Sequence, residues 1–401
     1  MKKILLIIPY GSVGGMERLA YTFYNYYISQ GYTVKAVKII KLETDIINFG
    51  PDEEYLSDID FHQMSASKRM MFYLAAPFRI AAIIRKHQIT HSISFGDMSN
   101  VFSSLTMTKE FKIASIHALK SAEFTNQNYL NKIFKGAYKT SYKFFDKVVC
   151  ISEAIKIDLL QNCGFQFPEK LQVIYNPHNI EEILSKAAVS LEPEEQALLS
   201  GDVIMFLGRL SVQKAPWHLI NSFALLLKEK PEVKLILIGD GDKNVEVHLQ
   251  QLIQAQGIAD KIIFLGRKSN PYQYLKYARF LALSSYYEGT PNVIVESIAL
   301  GIPVVSSNCT EGIAELMSLE RKDRHGELLI TEAGIITPSF FKGRLAVPES
   351  YEPVPEEKSF KDAMLMMLQD KSFNDRLAVA RQMLLDKFDL KTVAADYLKK
   401  H

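Results

Sequence analysis

Two glutamates, Glu288 and Glu296, stand with seven residues between them in the stretch Tyr287-Glu288-Gly289-Thr290-Pro291-Asn292-Val293-Ile294-Val295-Glu296. An apolar run of β type, Phe280 to Leu283, leads into it, and Gly301-Ile302-Pro303-Val304-Val305 follows. The punctuation between them predicts a helix. Thr290 falls at the N-cap, Pro291 at the first helical position where its missing N–H costs nothing, and Gly301 at the end. A helix that begins just after a strand aims unpaired N–H groups and the positive end of its dipole at the loop, which is the setting of an anion site. Carboxylates beside such a site suit a ligand that also carries hydroxyls, because sugar and ribose hydroxyls can donate to them. Solvated loop and helix glutamates would show the same spacing.

A second constellation is cationic. In Leu207-Gly208-Arg209-Leu210-Ser211-Val212-Gln213-Lys214, a guanidinium fork and a mobile ammonium lie five residues apart on one loop after an apolar run. Together they suit a diphosphate whose negative charge grows as it leaves; a surface basic pair is the plain alternative. Gly11, Gly14 and Gly15 follow the first apolar run, and Gly239 and Gly241 follow another. Glycines between strand and helix let backbone amides approach a phosphate or sugar. Neither set spells Gly-x-Gly-x-x-Gly, so a dinucleotide site is disfavoured. His117 closes the run Lys112 to Ile116, at the strand end where open α/β sheets bind ligands, although a lone histidine is more often structural. Ser152 and Asn176 read as a helix cap and a turn former. Asp58-Ile59-Asp60 and Asp240-Gly241-Asp242 are too short a pattern to be read as metal sites.

The elements that must position these residues alternate as buried strands and helices, the pattern of parallel α/β units. Strands are expected at 4–8, 33–40, 90–95, 112–116, 147–151 and 171–174, then at 203–207, 233–238, 261–264, 280–283 and 303–306. Helices are expected at 16–30, 68–87, 130–145 and 153–162, then at 215–230, 245–256, 271–276 and 372–400. A chain of 401 residues with 48% hydrophobic and 23% charged residues suggests two globular domains. The expected division is a first domain at 1–180, a helical linker at 181–200, a second domain at 201–380 and a last helix at 381–401.

The net charge of +2 hides an asymmetry: residues 1–180 carry 21 Lys and Arg against 15 Asp and Glu. That excess would suit an anionic membrane or acceptor, or it is a solvated face. The lysine-rich segment 129–147 has the same two readings, against a membrane or with its apolar side on the core. Cys150, Cys163 and Cys309 show no metal spacing and fit buried filler in a reducing compartment. The apolar start, Ile4 to Ile8, is short for a signal peptide, and no run approaches the ~20 apolar residues of a bilayer span.

Glu-Gly-x-Pro-Asn-Val-x-x-Glu at 288–296, Gly-x-Pro-Val-Val at 301–305 and Gly-Arg-Leu-x-x-x-Lys at 208–214 resemble the signatures of retaining, nucleotide-sugar-dependent glycosyltransferases of family four. The resemblance spans about 1–395. It implies the GT-B fold, α/β with two Rossmann-like parallel-sheet domains facing a cleft, the last helix packing back on the first domain. It also implies transfer of a hexose or N-acetylhexosamine from a nucleoside diphosphate sugar, expected to be a UDP-sugar, to a glycan or lipid-linked hydroxyl. The setting would be bacterial surface polysaccharide synthesis (lipopolysaccharide or capsule), in the cytoplasm or at the inner membrane face, without nucleic acid.

By the same resemblance Glu288 would hold sugar hydroxyls and Glu296 the ribose, while Arg209, Lys214 and the amides at 290–293, those of Thr290, Asn292 and Val293, would face the leaving diphosphate, with Gly289 and Pro291 also at the donor. Pro291 has no amide hydrogen and shapes the turn. Gly208, Gly239, Gly241 and Arg267 would lie at the nucleotide, Gly14 and Gly15 at the donor phosphates and acceptor, and His117 in the donor-sugar pocket as a catalytic group. No metal or cofactor is implied. Rivals are a GT-B nucleotide-sugar epimerase, which should lack the 288–296 signature, and a non-catalytic nucleotide-sugar binder, which should have lost one of Arg209, Lys214, Glu288 or Glu296. The segments 321–327 and 339–358 depart from the family pattern, and 339–358 is read as an irregular insertion.

Overall fold

The computed structural model describes residues 2–11, 15–123, 129–288, 290–310, 312–320, 328–348 and 354–400. The chain divides into two compact units, residues 1–177 with 390–401, and residues 178–389.

The first unit is built on a seven-stranded sheet of order β3-β2-β1-β4-β5-β6-β7. Its strands are β1 (Lys3–Ile8), β2 (Thr33–Ile40), β3 (Glu53–Ser57), β4 (His91–Phe95), β5 (Phe111–Ile116), β6 (Lys147–Cys150) and β7 (Leu171–Val173). All neighbours pair in parallel. Both faces are covered, which is why β1 reads Lys-Ile-Leu-Leu-Ile-Ile without alternation. The order reverses between β1 and β4, so the loops after those strands flank the crevice typical of doubly wound sheets.

The second unit repeats the plan with β8 (Val203–Leu207), β9 (Lys234–Ile238), β10 (Ile262–Gly266), β11 (Phe280–Leu283), β12 (Val304–Ser307), β13 (Leu329–Thr331) and β14 (Gly334–Thr337), in the order β10-β9-β8-β11-β12-β14-β13. Only the β13–β14 pair is antiparallel. Here the order reverses between β8 and β11.

Three strands were not expected. β3 is a charged edge strand, Glu-Glu-Tyr-Leu-Ser, with no apolar run to betray it. β13 and β14 form a hairpin of three and four residues next to β12. The expected helix 130–145 stops at Lys139, because Thr140 takes φ −132° and ψ −74°, and a short 3₁₀ turn, Ser141–Phe144, follows. Its buried side carries Ala137 and Tyr138, while Ile133, and Phe144 of the turn that follows, are exposed beside Lys132, Lys135 and Lys139, so only part of the segment's apolar surface is turned to the core.

The domain borders also differ from expectation. The helical linker expected at 181–200 is indeed helical, as Ile180–Ala188 and Pro193–Leu198, but both helices are held on the second unit. Lys276 Nζ donates to Ala187 O at 2.7 Å, and Lys268 pairs with Glu195 at 2.8 Å. The expected terminal helix is two: Ser372–Asp386 stays with the second unit, and only Leu390–Leu398 belongs to the first. Tyr27 Oη donates to Ala394 O at 2.9 Å, Tyr397 Oη bonds Ser115 Oγ at 2.8 Å, and Lys147 Nζ caps the helix end at Asp396 O and Lys399 O. Within 339–358, Pro355 already starts the helix Pro355–Gln369, so the irregular stretch is shorter than expected. Residues 321–327 lie outside the described residues.

The loop after β1 rests on a buried ion cluster. Lys38 on β2, 1% exposed, reaches Asp45 and Glu53 at 3.0 Å each and Ile47 O at 2.7 Å. Asp45 Oδ1 accepts the Gly11 N–H at 3.0 Å, fixing where the chain leaves the sheet. Removing the cation would leave the buried Asp45 carboxylate without a cation and Glu53 with Lys41 alone, at 3.3 Å, and breaking a buried pair costs ~3–5 kcal/mol. Lys38→Met is therefore expected to lower the unfolding free energy by that amount, and with it the urea midpoint, read by intrinsic tyrosine fluorescence. A midpoint equal to wild type would show that the cluster does not hold the loop.

Candidate active site

In the second unit the loops after β8 and β11 meet at the point where strand order reverses. Ser284 Oγ donates to Ala215 O at 3.0 Å, the Tyr286 N–H to Gln213 O at 2.8 Å, and Gln213 Nε2 to Tyr287 O at 3.1 Å. This lacing brings Lys214 and Glu288 together. Lys214 Nζ pairs with Glu288 Oε1, which also accepts Ser285 Oγ at 2.7 Å. The carboxylate is 8% exposed and the ammonium 17%, so the pair is largely withdrawn from water yet open on one side. Ala215, the next residue, takes the left-handed conformation, φ 43° and ψ 51°, as the chain turns into the helix Pro216–Leu227. A non-glycine residue there stores of order 1 kcal/mol of strain, a signature of sites where geometry is over-determined.

Arg209 and Arg267 lie further out. Arg209 Nη2 bonds Asp242 Oδ1 at 2.7 Å with its side chain 69% exposed, and Arg267 reaches Asp240 Oδ1 through Nε and Nη2 at 3.1 and 2.9 Å. Exposed pairs of this kind contribute ~0–1 kcal/mol, so either guanidinium can exchange its carboxylate for an anionic ligand at little cost. The two aspartates of Asp240-Gly241-Asp242 are thus engaged by arginines. A cavity of about 240 Å³ opens between them, lined by Gly208, Arg209, Gly239, Asp240, Arg267 and Lys268 among others.

Gly239 and Gly241 have a packing reason beside any ligand. A Cβ on Gly239 would lie 2.0 Å from Gly208 O, and one on Gly241 1.9 Å from Leu210 O. Leu210 N donates to Asp240 O at 3.0 Å and Asp242 N to Leu210 O at 2.8 Å, so the two loops zip together only because both glycines lack side chains.

The helix after β11 runs Asn292–Ala299. Pro291, extended at ψ 99°, stands at its N-cap, and no side chain caps it, so Thr290 is not the cap and Pro291 lies just outside the helix. The C-terminus closes as expected: Gly301 is left-handed at φ 73°, its N–H donates to Ile298 O, and the Ile302 N–H reaches back to Ser297 O. Asn292 is exposed at the helix start, Thr290 half-buried and Val293 buried. Glu296 sits partly buried within the helix. Burial raises its pKa, against a hydrogen bond from Tyr272 and the field of Lys214 that lower it. Burial and Glu288 also push the nearby Cys309 thiol up to about 12, leaving it protonated and unreactive at neutral pH.

The remaining predicted residues lie in the first unit. Gly15 begins the helix Gly15–Ser29 and is exposed; Gly14, like Gly289 of the second unit, is outside the described residues. His117 follows β5, with its ring 5.9 Å from that of Phe95. Burial, with Lys120 nearby, holds its pKa down to about 3, so the imidazole is neutral at physiological pH. Its Nε2 is buried and has no hydrogen-bond partner among the described residues.

Sequence reasoning missed the partners that hold this geometry. Gln213 and Ser285 are ordinary polar types, and only contact reveals them. Behind the loop, His218 Nε2 bonds Tyr286 Oη at 3.0 Å while its Nδ1 bonds Glu357 Oε1 at 2.5 Å. Asn221 Nδ2 adds a 2.9 Å bond to the same carboxylate oxygen, and the Phe340 ring stacks on His218 at 4.4 Å. All four polar groups are buried. His218 lies four residues after Lys214, which could have flagged it; Glu357 is 139 residues away within the stretch read as an insertion.

Two family models match this chain, Glycosyltransferase Family 4 over residues 13–182 and Glycosyl transferases group 1 over residues 191–328. The chain is a family-four glycosyltransferase. It is 26% identical over 336 residues to an uncharacterized glycosyltransferase of Methanocaldococcus jannaschii, covering 81% of this chain and 82% of that protein. It is 27% identical over 338 residues, 82% and 85% of the two chains, to a Campylobacter jejuni α-1,4-N-acetyl-D-galactosaminyltransferase whose name gives a GalNAc-GalNAc-diNAcBac-PP-undecaprenol substrate. The fold is that of Anabaena HepE crystallised with UDP, with a TM-score of 0.72 at 19% identity over 99% and 98% of the chains.

For this glycosyltransferase the buried relay predicts a test. Tyr286→Phe removes one hydrogen bond and no volume. It is expected to cost about 1 kcal/mol of stability, lower kcat about tenfold and leave the donor KM within twofold. Unchanged kcat would show that Tyr286 merely fills space.

Proposed function

We propose that this glycosyltransferase moves a hexose or N-acetylhexosamine from a UDP-sugar to a hydroxyl of a lipid-linked glycan, with retention of anomeric configuration. The observation that carries the reading is the Lys214–Glu288 pair at the β8–β11 reversal, beside a helix N-terminus and within one unit with Arg209 and Arg267. A diphosphate at this point meets one half-buried ammonium, two exchangeable guanidiniums and the N–H groups of the first helical turn. Those groups stabilise the charge that grows on the leaving diphosphate. Glu288 takes the sugar hydroxyls and Glu296, with Tyr272, the ribose. The first unit takes the acceptor, with neutral His117 offering its unpaired Nε2 to a bound hydroxyl. Lys214 and the arginines stand in for a divalent ion, so the reaction needs no metal.

Support for the donor comes from the UDP bound by HepE, and for the acceptor from the undecaprenol-linked substrate named for the Campylobacter enzyme. Bacterial surface glycan synthesis at the inner membrane face is the setting that joins them.

A transfer assay with radiolabelled UDP-sugars and undecaprenyl-diphosphate-linked glycans tests this reading. Glu288→Ala and Lys214→Ala are each expected to lower kcat by ~10²–10³ with the fold intact, and excess EDTA to leave the wild-type rate unchanged. Near-wild-type rates in either variant would overturn the assignment, and loss of activity in EDTA would overturn the metal-free scheme. Interconversion of UDP-sugars without transfer would mark an epimerase instead.

A further inference from the structure

Each cation assigned to the donor diphosphate already has its own carboxylate. Lys214 pairs with Glu288, Arg209 with Asp242 and Arg267 with Asp240. Lys268, on the wall of the same cavity, is paired with Glu195. These side chains therefore sum to no net charge, although the loop from Gly208 to Lys214 reads in sequence as basic. A site that must bind an anion has been built electrically balanced.

The partners in the two arginine pairs are not equally free to move. The guanidiniums ride on long stems, with side chains 69% and 80% exposed. The aspartates stand on backbone that is tied down. Asp240 O accepts the Leu210 N–H, the Asp242 N–H donates to Leu210 O, and the Gly241 N–H between them donates to Glu246 Oε1 at 3.1 Å. When a diphosphate takes the arginines, the carboxylates stay in place and face an anion. Loss of the exposed pairs costs little. The like charge left beside the ligand is the larger effect: in bulk water one such charge at ~4 Å weakens binding about fivefold.

That repulsion grows during turnover. In the donor the terminal phosphate is esterified by the sugar. Transfer breaks the bond from the anomeric carbon to the phosphate oxygen, and the bonding electron pair stays on that oxygen. The product then ends in a phosphate monoester, whose second ionisation near pH ~6 gives it almost one more negative charge at neutral pH. We infer that Asp240 and Asp242 make the donor site select against its own product: they take the arginines back and speed release of the nucleoside diphosphate once the sugar has gone. The inference rests on the UDP-sugar reading and describes how that site empties.

Calorimetric titration with two probes tests it: UDP, and UDP methylated on its terminal phosphate. The methyl ester carries the donor's charge and no sugar, so the comparison does not depend on which sugar is transferred. The double variant Asp240→Asn, Asp242→Asn keeps side-chain size, and Asn serves as well as Asp at the N-cap that Asp242 occupies before the helix Lys243–Gln256. It is expected to bind UDP about fivefold tighter, with slower dissociation in stopped flow, and the ester to a lesser degree. The ratio of UDP affinity to ester affinity should rise at least ~threefold. Asp242→Asn alone gives the same comparison if the double variant fails to fold. An unchanged ratio, equal tightening of both probes or weaker UDP binding would overturn the inference, and the transferase reading would stand as long as wild type binds UDP. Wild type that binds neither probe would overturn both.

Discussion

The half-buried pair of Lys214 and Glu288 is the interaction on which the second unit's architecture converges. A charge pair withdrawn from water gains little net stability, because desolvation offsets the Coulomb attraction. Its presence is instead a constraint on everything around it. β8 and β11 must be neighbours across the reversal of strand order. Ala215 must accept a left-handed backbone, and Ser284, Ser285 and Gln213 must lace the two loops so that ammonium and carboxylate meet on one side of an opening. The buried His218–Glu357 pair then holds Tyr286 from behind. Glu357 is itself fixed by accepting the Val354 N–H at 2.9 Å at the start of its helix. A loop pinned on both sides holds its charges in fixed positions.

The first unit follows the same doubly wound plan with a different use of charge. Its buried cation, Lys38, is neutralised by Asp45 and Glu53 and serves the backbone of the β1 loop. His117, after β5, is kept neutral by burial. The two sheets thus share topology while one places Arg209 and Lys214 on the loop at its reversal and the other presents the neutral His117 at a strand end.

How much of this was legible in the sequence depends on the reach of each interaction. The apolar runs of β1, β8, β9 and β11 announce buried parallel strands because both sheet faces are covered. Gly301 announces its helix end because only a left-handed residue satisfies the last carbonyls there. Arg209, Lys214, Glu288 and Glu296 were visible as motifs since each lies in a short local pattern. What sequence could not show was non-local. Edge strand β3 has no apolar alternation, and Glu357 meets His218 across 139 residues. The helices at 180–198 look like a linker until Lys268 and Lys276 are seen to hold them. Thr290 fits the cap rule, yet the extended Pro291 takes that place. Gly239 and Gly241 look like ligand glycines, while the carbonyls of Gly208 and Leu210 already require them.

Calorimetric titration with UDP in metal-free buffer, on wild type and Lys214→Ala, is the most direct measurement. Binding by wild type, weakened at least tenfold in the variant, is the result that follows if the loop pair was built to receive a diphosphate. Wild-type binding that the substitution leaves unchanged, or no binding at all, would contradict it.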